Sequence, residues 1–274
     1  MKNIAIIGLL GLFTAATSSF AQTIWIDGTG SQMWSDTTNW NTGVVPISTT
    51  NVQIGTQPTG DQIGLDTGGA VIVASFTFNN TLTNIVDIAP LGPETLQVNG
   101  AITNNSGFTD SFSVGVIAGA SATWSGPLNF TSAPSLGTNT ITLSNAITLA
   151  GLTLDVNAST YGKFAGAGSL QLDNSLGFNF TAATGAGNWD IASMTPTGTL
   201  TGVSIAGSYS AAFTETIPGS WDATTGAGPT QLDWNYKAST GVLSAVAVPE
   251  PTTWALLAGS LTTVMVFRRR RSQV

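Results

Sequence analysis

An all-β fold is what this 274-residue sequence predicts, and three observations predict it. Apolar residues alternate with polar ones in short runs: "SFTFNN" (75–80), "TLQVNGAIT" (95–103), "SFSVGV" (111–116), "ITLSNAITLAGLTLDV" (141–156) and "LGFNF" (176–180). No stretch between residues 22 and 248 sustains the i, i+3, i+4, i+7 apolar face of a helix. Gly, Asn, Ser and Pro punctuate the runs, with 32 Gly in the chain. Period-two runs of this length, separated by residues that tolerate φ > 0, read as short strands joined by turns.

The first element is an exception to the pattern. "MKNIAIIGLLGLFTAATSSFAQT" opens with Lys2, continues as an apolar run to about Ala16 and ends on Ser19-Phe20-Ala21. A basic start, a short apolar stretch and small residues at −3 and −1 make residues 1–21 a secretory signal peptide, cut between Ala21 and Gln22. The run is too short to span a bilayer. The chain has no Cys, so no disulfide staples the fold.

Residues 22–247 form the body. Its opening, "TIWIDGTGSQMWSDTTNWNTGVVPISTTNVQIG" (23–55), spaces Trp25, Trp34 and Trp40 among Gly and Asp before Pro46 and an alternating Asn51–Ile54. Later phrases recur loosely, as in "VNGAITNNSG" (98–107), "LSNAITLAG" (143–151) and "LQLDNSLGF" (170–178). Loose recurrence at a few tens of residues suits stacked coils, each burying its apolar face against its neighbours. A right-handed parallel β-helix fits, and a β-sandwich would give similar alternation. The tryptophan pattern of residues 23–55, with "GLDTGGAVIVASFTFNNTLTNIVDI" (64–88) after it, resembles the opening of autotransporter-associated β-helix repeat proteins. That resemblance implies the β-helix. It covers about residues 23–180, and no outer-membrane barrel follows, so self-translocation is not implied. Trp25, Trp34 and Trp40 suit two roles: sugar-stacking platforms, or a cap where apolar coil faces would otherwise meet water. Trp221, Trp234 and Tyr236, among two or three closing strands in 219–248, suit a cap at the other end.

The tail, residues 248–274, reads as an address. Val248-Pro249-Glu250-Pro251 precedes an uncharged, mostly apolar segment from Trp254 to Phe267, and Arg268, Arg269, Arg270 and Arg271 follow at once. Fourteen helical residues reach about 21 Å, short of a hydrocarbon core of about 30 Å, so the span is marginal. Four arginines hold its end in the cytoplasm and act as a stop-transfer clamp. This order of motif, short transmembrane helix and Arg cluster resembles the PEP-CTERM sorting signal of Gram-negative bacteria. The resemblance implies processing by an exosortase, a membrane-embedded cysteine-protease-like transpeptidase, after a transient stay in the inner membrane. It also implies release to the cell surface or extracellular matrix, in bacteria that make exopolysaccharide.

Composition removes several chemistries. The stretch 22–248 carries two Lys against 13 acids, a net −11, a poor match for the phosphates of nucleic acid. With no His and no Cys, imidazole-dependent triads and His/Cys zinc sites are excluded. Gly-rich stretches such as "GAGSLQL" lack the Lys of a P-loop. The acids stand singly; Asp27, Asp36, Asp61, Asp66, Asp87 and Asp110 are expected in Asx-type turns. Lys163, in "YGKFAG", reads as a solvated turn residue. Neither a catalytic residue, a metal site nor a cofactor is assigned. The expected function is that of an exported non-catalytic surface or matrix protein. The alternative is a β-helix that binds or degrades polysaccharide.

Overall fold

The computed structural model describes residues 22–156, 160–180, 185–226 and 231–248. It is all-β, 54% strand and 3% helix, and most of it is a parallel β-solenoid of about six turns. Strand β1 (Gln22–Trp25) starts one face. Three full turns follow: β2 (Asn51–Ile54), β3 (Gln62–Leu65) and β4 (Ala70–Val73); β5 (Ser75–Phe78), β6 (Asp87–Pro90) and β7 (Thr95–Val98); β8 (Ile102–Asn104), β9 (Asp110–Phe112) and β10 (Gly115–Ala118). The fourth turn has β11 (Ala122–Ser125) and β12 (Leu128–Phe130), and a single bridging residue, Ser135, carries its third side. In the next two turns β13 (Thr140–Leu143) leads into β14 (Ile147–Val156), and β15 (Lys163–Gly166) into β16 (Leu170–Phe180). These long strands cover two sides each, and the pairing of β14 with β16 shifts register between Leu149 and Gly151, at the corner.

Each turn places alternate residues inward because a strand's side chains point to opposite faces. Parallel register stacks them: Ile63, Ile88, Phe112, Phe130, Leu149 and Leu172 form one inward column across six turns. All six are almost fully buried. Outward positions carry polar ladders, in which Ser75 Oγ donates to Asn51 Oδ1 at 2.8 Å and Asn179 Nδ2 to Asp155 Oδ1 at 2.8 Å. Turn length is irregular: parallel partners lie between 18 and 31 residues apart, from Ser135 beside Ile117 to Gly64 beside Met33.

A different sheet closes the far end. β17 (Gly187–Asp190) pairs antiparallel with the last strand of the body. Between them the chain makes β18 (Leu200–Gly207), still stacked parallel on β16, and the two-residue β19 (Ala211–Ala212). Then β20 (Thr214–Ile217), β21 (Ser220–Thr225), β22 (Leu232–Lys237) and β23 (Val242–Ala247) complete a five-stranded antiparallel sheet in the order β17-β23-β22-β21-β20. One continuous apolar core runs from Trp25 through both parts to Ala245. The sandwich alternative therefore does not describe the body, which is coiled, and the closing strands expected after residue 219 are present.

Three placements differ from the sequence expectation. Lys163 begins strand β15 rather than a turn. Asp87 begins strand β6 rather than an Asx-type turn, and its carboxylate accepts from the Ser111 and Ser113 hydroxyls of the next turn. Asp110 lies inward in β9, in the column position that Leu128, Ile147 and Leu170 occupy in later turns, and is fully buried. A corner explains it. Asp110 accepts from Val86 N at 2.7 Å and from Ser106 Oγ at 2.6 Å, while buried Asn104 donates to the carbonyls of Phe108 (2.8 Å) and Pro127 (2.6 Å). The network satisfies backbone groups that the sharp 104–110 turn would otherwise leave orphaned inside the core. Burial pushes the Asp110 carboxyl above its ordinary range, against the lowering effect of these hydrogen bonds. Gly126 passes directly over this corner at φ +81°, where a Cβ would meet the Asn104 carbonyl oxygen at 2.1 Å.

Candidate functional sites at the two ends of the solenoid

The near end is closed by residues 26–50, which loop over the first turn. Asp36 caps the 3-10 turn Thr37–Asn39, accepting from Thr38 N at 3.0 Å and Thr38 Oγ1 at 2.6 Å. Its other oxygen accepts from Thr29 and Ser31, both at 2.8 Å. These hydroxyls, Thr38 first, hold its carboxyl far below the usual range. Asn39, fully buried, donates to Ser31 Oγ and to the Met33 carbonyl. The turn delivers Trp40 between its two partners: ring centroids lie 5.1 Å from Trp25 and 4.7 Å from Trp34, both edge-to-face. Trp40 Nε1 donates to the Trp34 carbonyl at 2.9 Å, and Trp34 stacks on Phe76 of the solenoid core at 6.4 Å.

Trp25 and Trp34 are 0% exposed and Trp40 is 1% exposed. A sugar ring stacks on an aromatic face that water can reach, and these faces are covered by one another. The sugar-stacking role expected as one option for Trp25, Trp34 and Trp40 therefore does not fit their burial. The indoles close the end of the apolar core.

At the far end Trp234 donates to Thr225 Oγ1 at 2.7 Å and packs against Phe180 at 5.0 Å and Trp189 at 5.8 Å. Tyr236, on the same face of β22, packs on Phe178 at 5.8 Å. It differs from its neighbours in one respect: it is fully buried, yet its hydroxyl finds no hydrogen-bond partner. Desolvation pushes that hydroxyl well above its ordinary titration range, so it stays a neutral donor.

Tyr236 is also a wall of a pocket of about 170 Å³ between the last solenoid turn and the antiparallel sheet. Thr197, Thr199 and Leu172 border it on the solenoid side, and Glu215 and Trp221 on the sheet side. Two local features shape its solenoid-side wall. Gly198 adopts φ +106° so that the chain can press against Leu172, where a Cβ would lie 2.4 Å from the carbonyl oxygen. Asp173 accepts from Thr199 N at 2.9 Å, and that bond lowers its carboxyl. Across the pocket, Glu215 Oε1 accepts from Gly219 N at 2.8 Å and fixes the β20–β21 turn. The sequence reading noticed Trp221 and Tyr236 as end aromatics and missed the pocket. Its one sequence signal is the turn Pro196-Thr197-Gly198, unremarkable beside the chain's other Gly turns.

The remaining sites lie at the margins. Gln22 begins β1, with its side-chain amide donating to Gln53. Val248 follows β23 directly and donates its N–H to the Gln231 carbonyl at 3.0 Å. Ala21, Pro249, Glu250, Pro251, Arg268, Arg269, Arg270 and Arg271 lie outside the described residues, as do the expected signal peptide and transmembrane helix. Among the described residues no helix is long and apolar enough to cross a membrane, and no cluster of three or more acids, His or Cys could hold a metal. No protein-family model matches the chain, and neither a curated protein nor a solved structure does.

Proposed function

We propose that this chain is an exported, non-catalytic surface or matrix protein, delivered by its signal peptide and released by an exosortase acting on its tail. The observation that carries the reading is the order at the C-terminus: Val248-Pro249-Glu250-Pro251, an apolar segment of marginal length, then Arg268–Arg271. The fold supports it. Among the described residues, Gln22 begins the first strand and Val248 is hydrogen-bonded just past the last one. Both inferred cuts thus flank a body whose core is closed at each end by aromatics. A disulfide-free solenoid with polar outward ladders suits the cell surface or an exopolysaccharide matrix, where neither thiol chemistry nor a cofactor is needed. The solenoid is expected to coil right-handed, since parallel strand–connection–strand units take that hand in about 98% of cases.

The test is the intact mass of the protein recovered from its native host. A mature chain that begins at Gln22 and lacks the arginines supports the proposal. Wild-type protein found in the membrane with Val274 still attached refutes it. Replacing Pro249, Glu250 and Pro251 by Ala should leave an uncut, membrane-bound precursor, whereas neutralising Arg268–Arg271 should loosen membrane retention. An ordinary tail anchor would show no change with the first variant.

A further inference from the structure

We propose that the open edge of β4 receives the exposed strand β20 of a second copy, so that the chain assembles head to tail. The cap over the first turn closes the core but not every strand edge. β1 covers β2. Met33 bridges to Gly64 of β3, where Gly64 N donates to the Gln32 carbonyl at 2.8 Å and Trp34 N to the Gly64 carbonyl at 2.9 Å. The third side has no such cover among the described residues, and β4 ends the sheet β10-β7-β4. Val73 accepts from Asn99 N at 2.9 Å on the β7 side, and Ala74 N donates to the Thr50 carbonyl at 2.8 Å on the other. Backbone groups of alternate residues share a side, so Ala70 and Ile72 turn their N–H and C=O away from β7. Such an edge is a template for another strand. The sequence of β4, Ala-Val-Ile-Val, has no charge, proline or bulge to protect it.

A groove of about 330 Å³ lies against this edge, walled by Val45, Pro46, Ile47 and Ser48 of the cap and by β4 itself. The opposite end of the body supplies a strand to fill it. β20 ends the antiparallel sheet and has the four-residue length of β4. Among the described residues it is also the one strand exposed at every position. A recessed edge receives a strand that stands clear better than it receives a second recessed edge. The apolar surfaces match: Ile217 of β20 is 65% exposed, and Val44 and Ile47 beside the groove are 61% and 62% exposed. Charge favours the same place. Residues 22–248 carry a net −11, so two copies repel over most of their surface, but the groove lining is uncharged. Glu215 of β20 is tied to its own turn through Gly219 N. With acceptor and donor at opposite ends, the contact is heterologous and does not stop at two copies. The inference goes beyond the export reading and does not depend on it.

The experiment uses the full chain in a density-matched detergent, with masses read by analytical sedimentation. An interface this small implies a dissociation constant on the order of 100 μM, so species larger than a dimer should grow in as concentration rises toward about 1 mM. Ile47→Asp blocks the groove and Ile217→Asp blocks the strand. Both side chains are exposed, so the far-ultraviolet circular dichroism should not change. Each variant alone should assemble at least about tenfold more weakly, because a charge would have to be buried. A 1:1 mixture should form pairs and nothing larger, since each variant keeps the edge that the other lacks. Three results would overturn the proposal by naming another occupant. A parent that stops at the dimer would mean that one edge pairs with itself. Variants that assemble as the parent does would place the association in the tail. A parent that stays monomeric to about 1 mM would leave the groove to another protein. A mixture that fails to pair would overturn it as well. None of these results alters the masses that test export.

Discussion

Trp40→Phe distinguishes a capping tryptophan from a binding one, and the structure supplies the magnitude. Trp40 sits between Trp25 and Trp34 and donates one hydrogen bond, to the Trp34 carbonyl. Phenylalanine keeps an aromatic edge for both neighbours but loses the indole N–H, worth about 1 kcal/mol net. It also removes about three ring atoms from a fully packed site, about 2 kcal/mol at 0.8 kcal/mol per methylene-sized group. The sum is about 3 kcal/mol, in the range of large core truncations. The measurement is guanidinium denaturation of both proteins, followed by far-ultraviolet circular dichroism at 25 °C. The midpoint should fall while the slope stays constant, because the same surface is exposed on unfolding. A loss below about 1 kcal/mol would refute the cap.

Three more predictions concern single residues. Gly126→Ala forces a left-handed backbone on alanine and drives a Cβ into the Asn104 carbonyl; a loss of at least about 2 kcal/mol is expected by denaturation. Asp110 has its folded-state titration raised by burial, so its contribution is fullest below the ordinary carboxyl range and is lost as pH rises through the folded value. The stability difference between the parent and Asp110→Asn should therefore move against the parent between pH 3 and neutrality, and a flat difference would contradict the assignment. Asp36 is shifted the other way by Thr38, Thr29 and Ser31. Its contribution is present above the ordinary carboxyl range and is lost as pH falls toward the folded value, so Asp36→Asn should matter at pH 7 and cease to matter in strong acid.

The fold class was legible because alternation is a local property. The runs quoted for residues 75–78, 95–98, 141–143 and 147–156 all became strands, and their alternate residues face inward. The caps were legible for a related reason: large aromatics clustered at the two ends of a low-complexity body have few places to go except the open ends of its core. Pairing was not legible. A solenoid whose parallel partners are 18 to 31 residues apart leaves no fixed period for a sequence to display, so periodicity alone held the coil and the sandwich even, and only the tryptophan pattern of residues 23–55 favoured the coil. Asp110 was misread for a further reason: a lone acid flanked by Thr and Ser looks like a turn residue. The backbone donor that draws it inward, Val86 N, is 24 residues away. The pocket escaped because its walls come from residues 172 to 238, brought together only when the antiparallel sheet folds back on the last turn.

The two ends carry more of this fold's stability than their size suggests. In a solenoid each turn contacts only its neighbours, so stability is a sum of turns and interfaces, and unfolding starts wherever an interface is missing. Inside the body no interface is missing. Phe76, Phe112, Phe130, Trp124 and Phe164 form a chain of ring contacts, with centroids 5.5, 5.1, 5.0 and 6.3 Å apart, that crosses successive turns. Only the first and last turns have an apolar side with no further turn to cover it. There the Trp25–Trp34–Trp40 cluster and the antiparallel sheet with Trp189, Trp234 and Tyr236 take the place of the absent neighbours. A chain without disulfides depends on those covers to keep the stack from fraying. Such a chain tolerates proteolytic trimming only outside them, and the proposed signal peptide and sorting tail lie there, before Gln22 and after the hydrogen bond of Val248. Processing before Gln22 and after Val248 keeps every ladder and core residue among the described residues, so the processed body should denature at the same midpoint as the unprocessed chain. A midpoint that falls on processing would mean that the tail packs on the solenoid, and the boundary drawn at Val248 would have to move.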